Sequence, residues 1–118
     1  MKLSEAIFLG SKLGPQCFGV LRIDDATCAV GAAGVAMGNR SKDAWTILAS
    51  WPWTTVTTEI KCPECEDICF LVGGLITHLN DTHSWTREQI ADWVATVEPS
   101  EPETQGEQTD VEAFERAQ

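Results

Sequence analysis

Residues 60–83 read IKCPECEDICFLVGGLITHLNDTH and place two cysteines and two histidines at a metal-binding spacing. Two residues separate Cys62 from Cys65, twelve separate Cys65 from His78, and four separate His78 from His83. Zn²⁺ prefers four thiolate or imidazole donors in a tetrahedron, and a tight Cys-x-x-Cys turn brings two sulfurs to one side. The sequence therefore predicts a structural Zn²⁺ site formed by Cys62, Cys65, His78 and His83.

Cys69 offers an alternative ligand, because Cys62, Cys65, Cys69 and one histidine would also close a four-coordinate site. That set would leave a well-placed histidine without a partner. We therefore interpret Cys69 as a small apolar core residue. A second alternative, that all of these residues belong to an ordinary core, is disfavoured because cysteines and histidines rarely fall at this spacing without a metal.

The same stretch resembles the two-Cys, two-His ββα zinc finger beyond its ligands. That finger has an apolar residue two before the first cysteine, here Ile60, and a core leucine three before the first histidine, here Leu75. Its core aromatic is replaced by Cys69, with Phe70 adjacent. The resemblance covers about residues 60–83 and implies two short strands followed by a helix.

A second resemblance spans most of residues 3–97. Its core is the string HLNDTHSWTREQIADWV, within Ile76 to Val94, and it includes the segments LSEAI at 3–7 and CAVGAA at 28–33. These stretches are similar to a family of small uncharacterised bacterial and phage proteins. The resemblance implies a bacterial or phage source and implies no activity.

The rest of the chain is predicted to form helices and short strands. Thr86 and Gln89 form a capping box, and Trp85 with Ile90 forms a hydrophobic staple at the start of the final helix. Apolar periodicity and capping signals predict helices over Ser4–Leu13, with Ser4 as N-cap, Cys28–Met37 with Thr27 as N-cap, Asp43–Ser50 and 86–98. Alternating β-forming residues predict strands over Phe18–Ile23, ending in a turn at Asp24-Asp25, and over Thr54–Ile60.

The predicted fold is therefore a small α+β domain of about four helices with short strands. A single domain is expected over residues 1–98, because 118 residues suffice for one compact domain. The zinc-stabilised ββα-like finger at 60–83 lies near the C-terminal part of this domain. Residues 99–118 contain six acidic residues and one arginine, a net charge of −5, and few apolar residues. Such a composition predicts a disordered acidic tail.

Charge and cysteine content limit the environment and the partners. The chain has 8 basic and 18 acidic residues and a formal net charge of −10, which disfavours nucleic acid and anionic lipid as partners. Five cysteines are an odd number, which disfavours a fully paired disulfide framework. No secretory signal and no apolar run of about 18 residues is visible, so the sequence predicts a cytoplasmic protein that does not enter membranes.

The sequence predicts a protein that is not an enzyme, because both histidines are assigned to the metal and no Ser-His-Asp or Cys-His set remains. A catalytic zinc would need an open position and a carboxylate base, for which only Glu64 and Asp67 lie nearby in sequence.

The positions that read bases in DNA-binding fingers are here Leu71, Gly73, Gly74 and Thr77, which discriminate bases poorly. The first hypothesis is therefore an intracellular interaction or regulatory module that binds a protein with a basic surface. The alternatives are a nucleic-acid-binding regulator that uses the finger and an acidic DNA-mimic inhibitor. The sequence makes no prediction of the oligomeric state.

Overall fold

The computed structural model describes residues 1–99, and in this part of the chain it contains five α-helices and two antiparallel strand pairs. The predicted α+β class is confirmed, with five helices where about four were expected. The helices are α1 (Leu3–Ser11), α2 (Ala29–Ala36), α3 (Ala44–Leu48), α4 (Val72–Asp81) and α5 (Arg87–Val97). The strands are β1 (Arg22–Ile23), β2 (Ala26–Thr27), β3 (Ile60–Lys61) and β4 (Ile68–Cys69), and a 3₁₀ helix spans Pro52–Thr55.

The N-cap of helix α1 is Lys2, two residues before the predicted Ser4, and the helix spans Leu3–Ser11 instead of Ser4–Leu13. The exposed amides of its first turn are satisfied by carboxylates instead of a serine hydroxyl. The carboxylate of Glu5 accepts from the backbone N–H of Lys2 at 3.0 Å. The carboxylate of Glu98, at the end of α5, accepts from the backbone N–H of Ser4 at 3.1 Å. Ser4 is thus free to lie inside the helix.

Helix α2 is capped by Cys28 and not by Thr27 as predicted. The Cys28 sulfur accepts from the backbone N–H of Gly31 at 3.4 Å, while Thr27 ends strand β2. Helix α5 agrees with its prediction. Thr86 is its N-cap, and Thr86 and Gln89 form the reciprocal capping box.

The predicted strand over Thr54–Ile60 is wrong except for its last residue. The chain instead forms the 3₁₀ helix Pro52–Thr55, for which the fixed φ of proline suits the first position. The hydroxyl of Thr54 donates to the carbonyl oxygen of Trp51 at 2.8 Å. A local hydrogen bond of this kind competes with extended structure, so the β-forming threonines did not decide the conformation.

The predicted strand over Phe18–Ile23 is reduced to Arg22–Ile23. This strand pairs with Ala26–Thr27 across the predicted Asp24-Asp25 turn, with Arg22 opposite Thr27 and Ile23 opposite Ala26. Asp24 takes a positive φ of 53° in that turn, a conformation that aspartate tolerates better than most residues.

The core lies between α1, α2 and α5 and continues into α3 and α4. Helices α1 and α2 approach to backbone contact, since a methyl group on Gly10 would lie 1.8 Å from the carbonyl oxygen of Ala32. The small residues of α2 permit this approach. One hydrophobic cluster joins all five helices, and its largest fully buried apolar side chains are Leu3, Ile7, Val30, Ile47, Leu48, Leu75, Ile76, Leu79, Ile90 and Val94.

The acidic tail predicted for residues 99–118 lies, apart from Pro99, outside the described residues. Within residues 1–99, none of the helices combines the length and the apolar character needed to cross a bilayer.

Candidate metal centre

Both cysteines of the predicted site lie in the loop between β3 and β4. The two strands pair with Ile60 opposite Cys69 and Lys61 opposite Ile68. The backbone N–H of Cys62 donates to the carbonyl oxygen of Asp67 at 2.9 Å and closes the loop at its base. The hairpin therefore holds the two sulfurs on one side of the site.

The two histidines come from the last turn of α4 and from the turn that follows it. His78 lies in its last turn, and the backbone N–H of His83 donates back to the carbonyl oxygen of His78 at 3.4 Å. This return of the chain brings the two Nε2 atoms to 3.1 Å from each other, with the ring planes at 85°. The order of elements is β3, β4, α4, as the resemblance to a ββα finger implies.

The four predicted residues come together in the structure. The ligand atoms of Cys62, Cys65, His78 and His83 all lie within 4.8 Å of one another, so this cluster can hold a metal ion. The Cys65 sulfur is 3.4 Å from Nε2 of His78. Cys62 is 2% exposed, whereas the other three are half-buried. Cys69 does not belong to this cluster within the described chain, and it packs against the hydrophobic core.

Neighbouring groups orient the ligands and add negative charge. The backbone N–H of Glu64 donates to the Cys62 sulfur at 3.4 Å, and the Glu64 carboxylate accepts from the indole N–H of Trp85 at 2.7 Å. A carboxylate oxygen of Asp67 lies 3.8 Å from Nε2 of His78. Outer groups of this kind fix ligand orientation in metal sites.

The surroundings of Cys65 and Cys69 favour the neutral thiol when no cation is present. The backbone N–H of Asp67 lowers the pKa of Cys65, but burial, the Cys62 thiol and the Asp67 carboxylate together raise that pKa above its ordinary value. Burial is also the main reason that the pKa of Cys69 is raised. A metal ion binds the thiolate, so a bound cation would reverse this balance at Cys65.

Helix α4 uses its other face to pack on the domain. Val72, Leu75, Ile76 and Leu79 are buried, and a methyl group on Gly73 would lie 2.5 Å from Cδ1 of Leu48.

The four candidate base-reading positions consequently differ in their exposure to solvent. Gly73 is buried under α3, Leu71 is half-buried, and only Gly74 and Thr77 are exposed.

Asn80 is a fully buried residue that sequence reasoning missed. Its Oδ1 accepts from Nε2 of Gln16 at 2.8 Å and from the backbone N–H of Ala29 at 3.2 Å. Its Nδ2 donates to the carbonyl oxygen of Cys17 at 3.1 Å. Asn80 thus ties the helix that carries His78 to the start of α2. The available signal was its position four residues after Ile76, on the apolar face of α4.

Arg87 is a second missed residue and is 5% exposed. Its guanidinium donates to the hydroxyl of Thr27 at 2.8 Å and to the carbonyl oxygens of Gly14 and Ser11 at 2.6 and 3.3 Å. Burial lowers its pKa. The cation therefore lies at the C-terminal end of α1, where the helix dipole is negative.

Cys17 and Cys28 are buried free thiols. Burial is the main reason that both pKa values are raised, and the Asp81 carboxylate adds to the effect. Thiols of this kind are poor nucleophiles.

No protein-family model matches this chain, and comparisons with curated proteins and with solved structures find no significantly similar protein. The resemblance to small bacterial and phage proteins therefore stays a prediction.

Proposed function

We propose that this protein is a non-enzymatic module whose structural Zn²⁺ site stabilises a surface for binding another protein. The observation that carries the proposal is the double role of α4. One end of this helix holds His78 in the metal cluster, while Gly73 at the other end is packed under Leu48. The finger thus packs into the domain core, which does not favour a role as an independent nucleic-acid-binding module.

The donor set fits zinc, and two of its distances match the edges of a zinc tetrahedron. With Zn–N of about 2.0 Å and Zn–S of about 2.3 Å, a tetrahedron has N–N edges of about 3.3 Å and S–N edges of about 3.5 Å. The corresponding separations are 3.1 Å between the histidine Nε2 atoms and 3.4 Å between Cys65 and His78. Two thiolates would balance the charge of the dication.

A structural role for the metal is supported by the number of protein ligands. Four side chains complete a tetrahedron and leave no open position for a substrate or a reactive water, which a catalytic zinc needs. The two histidines of the sequence are both in this cluster.

Charge and the exposed surface of α4 disfavour nucleic acid as the partner. Gly74 has no side chain, and Thr77 is a weak discriminator of bases. Even without residues 99–118, which carry −5 of the total −10, the chain keeps a net charge of −5. A protein with a basic surface is the complementary partner, because opposite potentials steer association.

The proposal is tested by capture with the zinc-loaded full chain from a bacterial lysate, with and without nuclease. We expect a basic protein to be retained after nuclease treatment and released by salt. Recovery of nucleic acid that disappears with nuclease would contradict the proposal, as would the absence of any retained protein. A mobility-shift assay with duplex DNA provides the matched control, and we expect no shift at physiological salt.

A further inference from the structure

A concave groove of about 420 Å³ lies between α1 and α5, the first and the last helix of the domain. The groove is open to solvent, and its lining has an apolar part and an acidic part. The apolar part consists of Phe8, Leu9, Ala91 and Ala95, and the carboxylates beside it are Glu5 and Asp92.

Helix α1 buries one apolar face in the core and also exposes large apolar side chains beside the groove. Leu3, Ala6 and Ile7 are fully buried in the core, yet Phe8 is 44% exposed and Leu9 is 46% exposed. Single exposed apolar residues are normal on protein surfaces. Phe8 and Leu9 are adjacent and lie beside a concave groove, and contiguous apolar surface with a polar border is a feature of interaction sites.

The charge around the groove has one sign. None of the residues that line it is cationic. The nearby Lys12 amino group lies 4.5 Å from the centre of the Phe8 ring and is paired with the Glu88 carboxylate at 3.3 Å, so its charge is already compensated. The Asp92 carboxylate makes no hydrogen bond or ion pair within residues 1–99. The groove therefore presents two carboxylates beside apolar surface, of which Glu5 accepts one backbone hydrogen bond and Asp92 has no partner among residues 1–99.

The groove could be occupied by the C-terminal segment of the chain, by a second copy of the chain or by a partner protein, and charge favours one of the three. The segment after Pro99 carries a net charge of −5, and a second copy of the chain carries −10, so both would place negative charge against Glu5 and Asp92. A partner with lysine or arginine beside apolar anchors would instead be attracted.

We propose that the α1–α5 groove binds an amphipathic helix of a partner protein, with its apolar face on Phe8 and Leu9 and its basic residues beside Glu5 and Asp92. This inference rests on the proposed function and names the surface and the partner element. The nine residues of α1 span about 13 Å at 1.5 Å per residue, which matches two to three turns of a docked helix. Anchors at positions i, i+3 or i+4, and i+7 are expected.

The test is a selection from a display library of random peptides on the zinc-loaded full chain. The enriched peptides are then measured on the natural chain and on a double variant, Phe8→Ser with Leu9→Ser, whose zinc content and circular dichroism are checked first. We expect enriched peptides with helical apolar spacing and flanking Lys or Arg. Their affinity should fall at least about tenfold in the double variant, since two apolar contacts are lost.

Two further variants keep the test independent of folding. Ile23→Ser is the matched control, because Ile23 is 56% exposed and does not line the groove. The enriched peptides should bind this variant as tightly as they bind the natural chain. Glu5→Gln combined with Asp92→Asn should weaken binding and flatten its salt dependence.

Several results would overturn the inference. Enriched peptides that bind the double variant equally well would place the docking surface elsewhere and leave the proposed function standing. The inference would also fail if deletion of residues 100–118 strengthened binding, or if Phe8→Ser abolished a dimer seen by sedimentation, because another occupant would then hold the groove. An absence of enriched peptides, together with capture of a basic protein from lysate, would refute the groove alone. Failure of both experiments would refute the proposed function as well.

Discussion

Gly73 of α4 lies so close to Leu48 of α3 that a methyl group on Gly73 would be 2.5 Å from the Leu48 Cδ1 atom. The same helix supplies His78 to the metal cluster five residues later. Metal coordination and core packing therefore act on one rigid element. We expect them to be thermodynamically coupled, because binding free energy that organises α4 also organises the core that surrounds it.

Two neighbouring glycines test this packing. Gly73→Ala should lower the free energy of unfolding by about 1–2 kcal/mol, because overpacking costs more than the gain of about 1 kcal/mol in helix propensity. Gly74→Ala is the matched control, since nothing lies within 4 Å of its added methyl group. It should raise stability by about 0.5–1 kcal/mol. Chemical denaturation of the zinc-loaded proteins measures both, and equal shifts in the two variants would show that α4 is not packed on Leu48.

The metal ligands are tested by substitution and by cobalt. We expect Cys62→Ser, Cys65→Ser, His78→Ala and His83→Ala each to lose the single Zn²⁺ seen by native mass spectrometry. Co²⁺ in the site should give the visible spectrum of a tetrahedral ion with two thiolates and two imidazoles. Cys69→Ala is the control and should leave metal content and spectrum unchanged. A loss of thiolate-to-metal intensity in Cys69→Ala would instead identify Cys69 as a ligand.

The parts of the site that depend on nearby residues could be predicted from the sequence. Ligand spacing places Cys62 beside Cys65, and the capping box at Thr86 needs only Gln89, three residues away. Local hydrogen bonds and turn geometry determine both features. The resemblance to a ββα finger also implied a hairpin followed by a helix, which the structure contains.

The parts that depend on distant residues could not be predicted. Asn80 is bonded to Gln16, 64 residues away, and Arg87 to Gly14, 73 residues away. No local pattern indicates which backbone carbonyl a buried side chain will satisfy. The strand wrongly predicted over Thr54–Ile60 fails for a related reason, because β propensity mainly reflects packing context. There the hydroxyl of Thr54 bonds back to Trp51.

Arg87 should be among the most sensitive positions outside the metal cluster. Arg87→Met keeps much of the volume but leaves the carbonyl oxygens of Ser11 and Gly14 without their donor. Unsatisfied buried acceptors and lost charged hydrogen bonds predict a loss of about 3 kcal/mol in the free energy of unfolding. Arg40→Met, at an exposed arginine, should change it by less than about 0.5 kcal/mol. Similar losses in the two variants would contradict a structural role of Arg87.

Cys28 should make the protein less stable at alkaline pH. Burial raises the pKa of its thiol, with Cys17 and Asp81 adding to the effect, so the folded state keeps the proton longer than the unfolded state does. The stabilisation is complete below the unfolded thiol pKa of about 8.5 and is lost as pH rises toward the folded value, at up to about 1.4 kcal/mol per pH unit.

Cys28→Ser provides the control for this pH dependence. Serine keeps an acceptor for the backbone N–H of Gly31 but does not titrate in this range. Denaturation of zinc-loaded protein at pH values between about 8 and 10 should therefore give a flatter slope for the variant than for the natural chain. Identical slopes would show that Cys28 does not contribute to alkaline destabilisation.

Glu98 is the last residue of the described chain that makes a side-chain hydrogen bond with the domain, so we expect the stable domain to end close to it. Its carboxylate accepts from the backbone N–H of Ser4 at 3.1 Å and from the Ser4 hydroxyl, so it neutralises the positive end of α1. A chain that ends at Pro99 keeps this contact and should retain one Zn²⁺ and nearly full stability, because residues 100–118 lack a core-forming pattern. Adding Glu98→Ala to that chain should lower the free energy of unfolding by about 1–2 kcal/mol, whereas Glu98→Gln, which keeps an acceptor, should cost less. Thermal melts with zinc analysis measure all three, and a loss above about 1 kcal/mol from the truncation alone would mean that residues 100–118 pack on the domain.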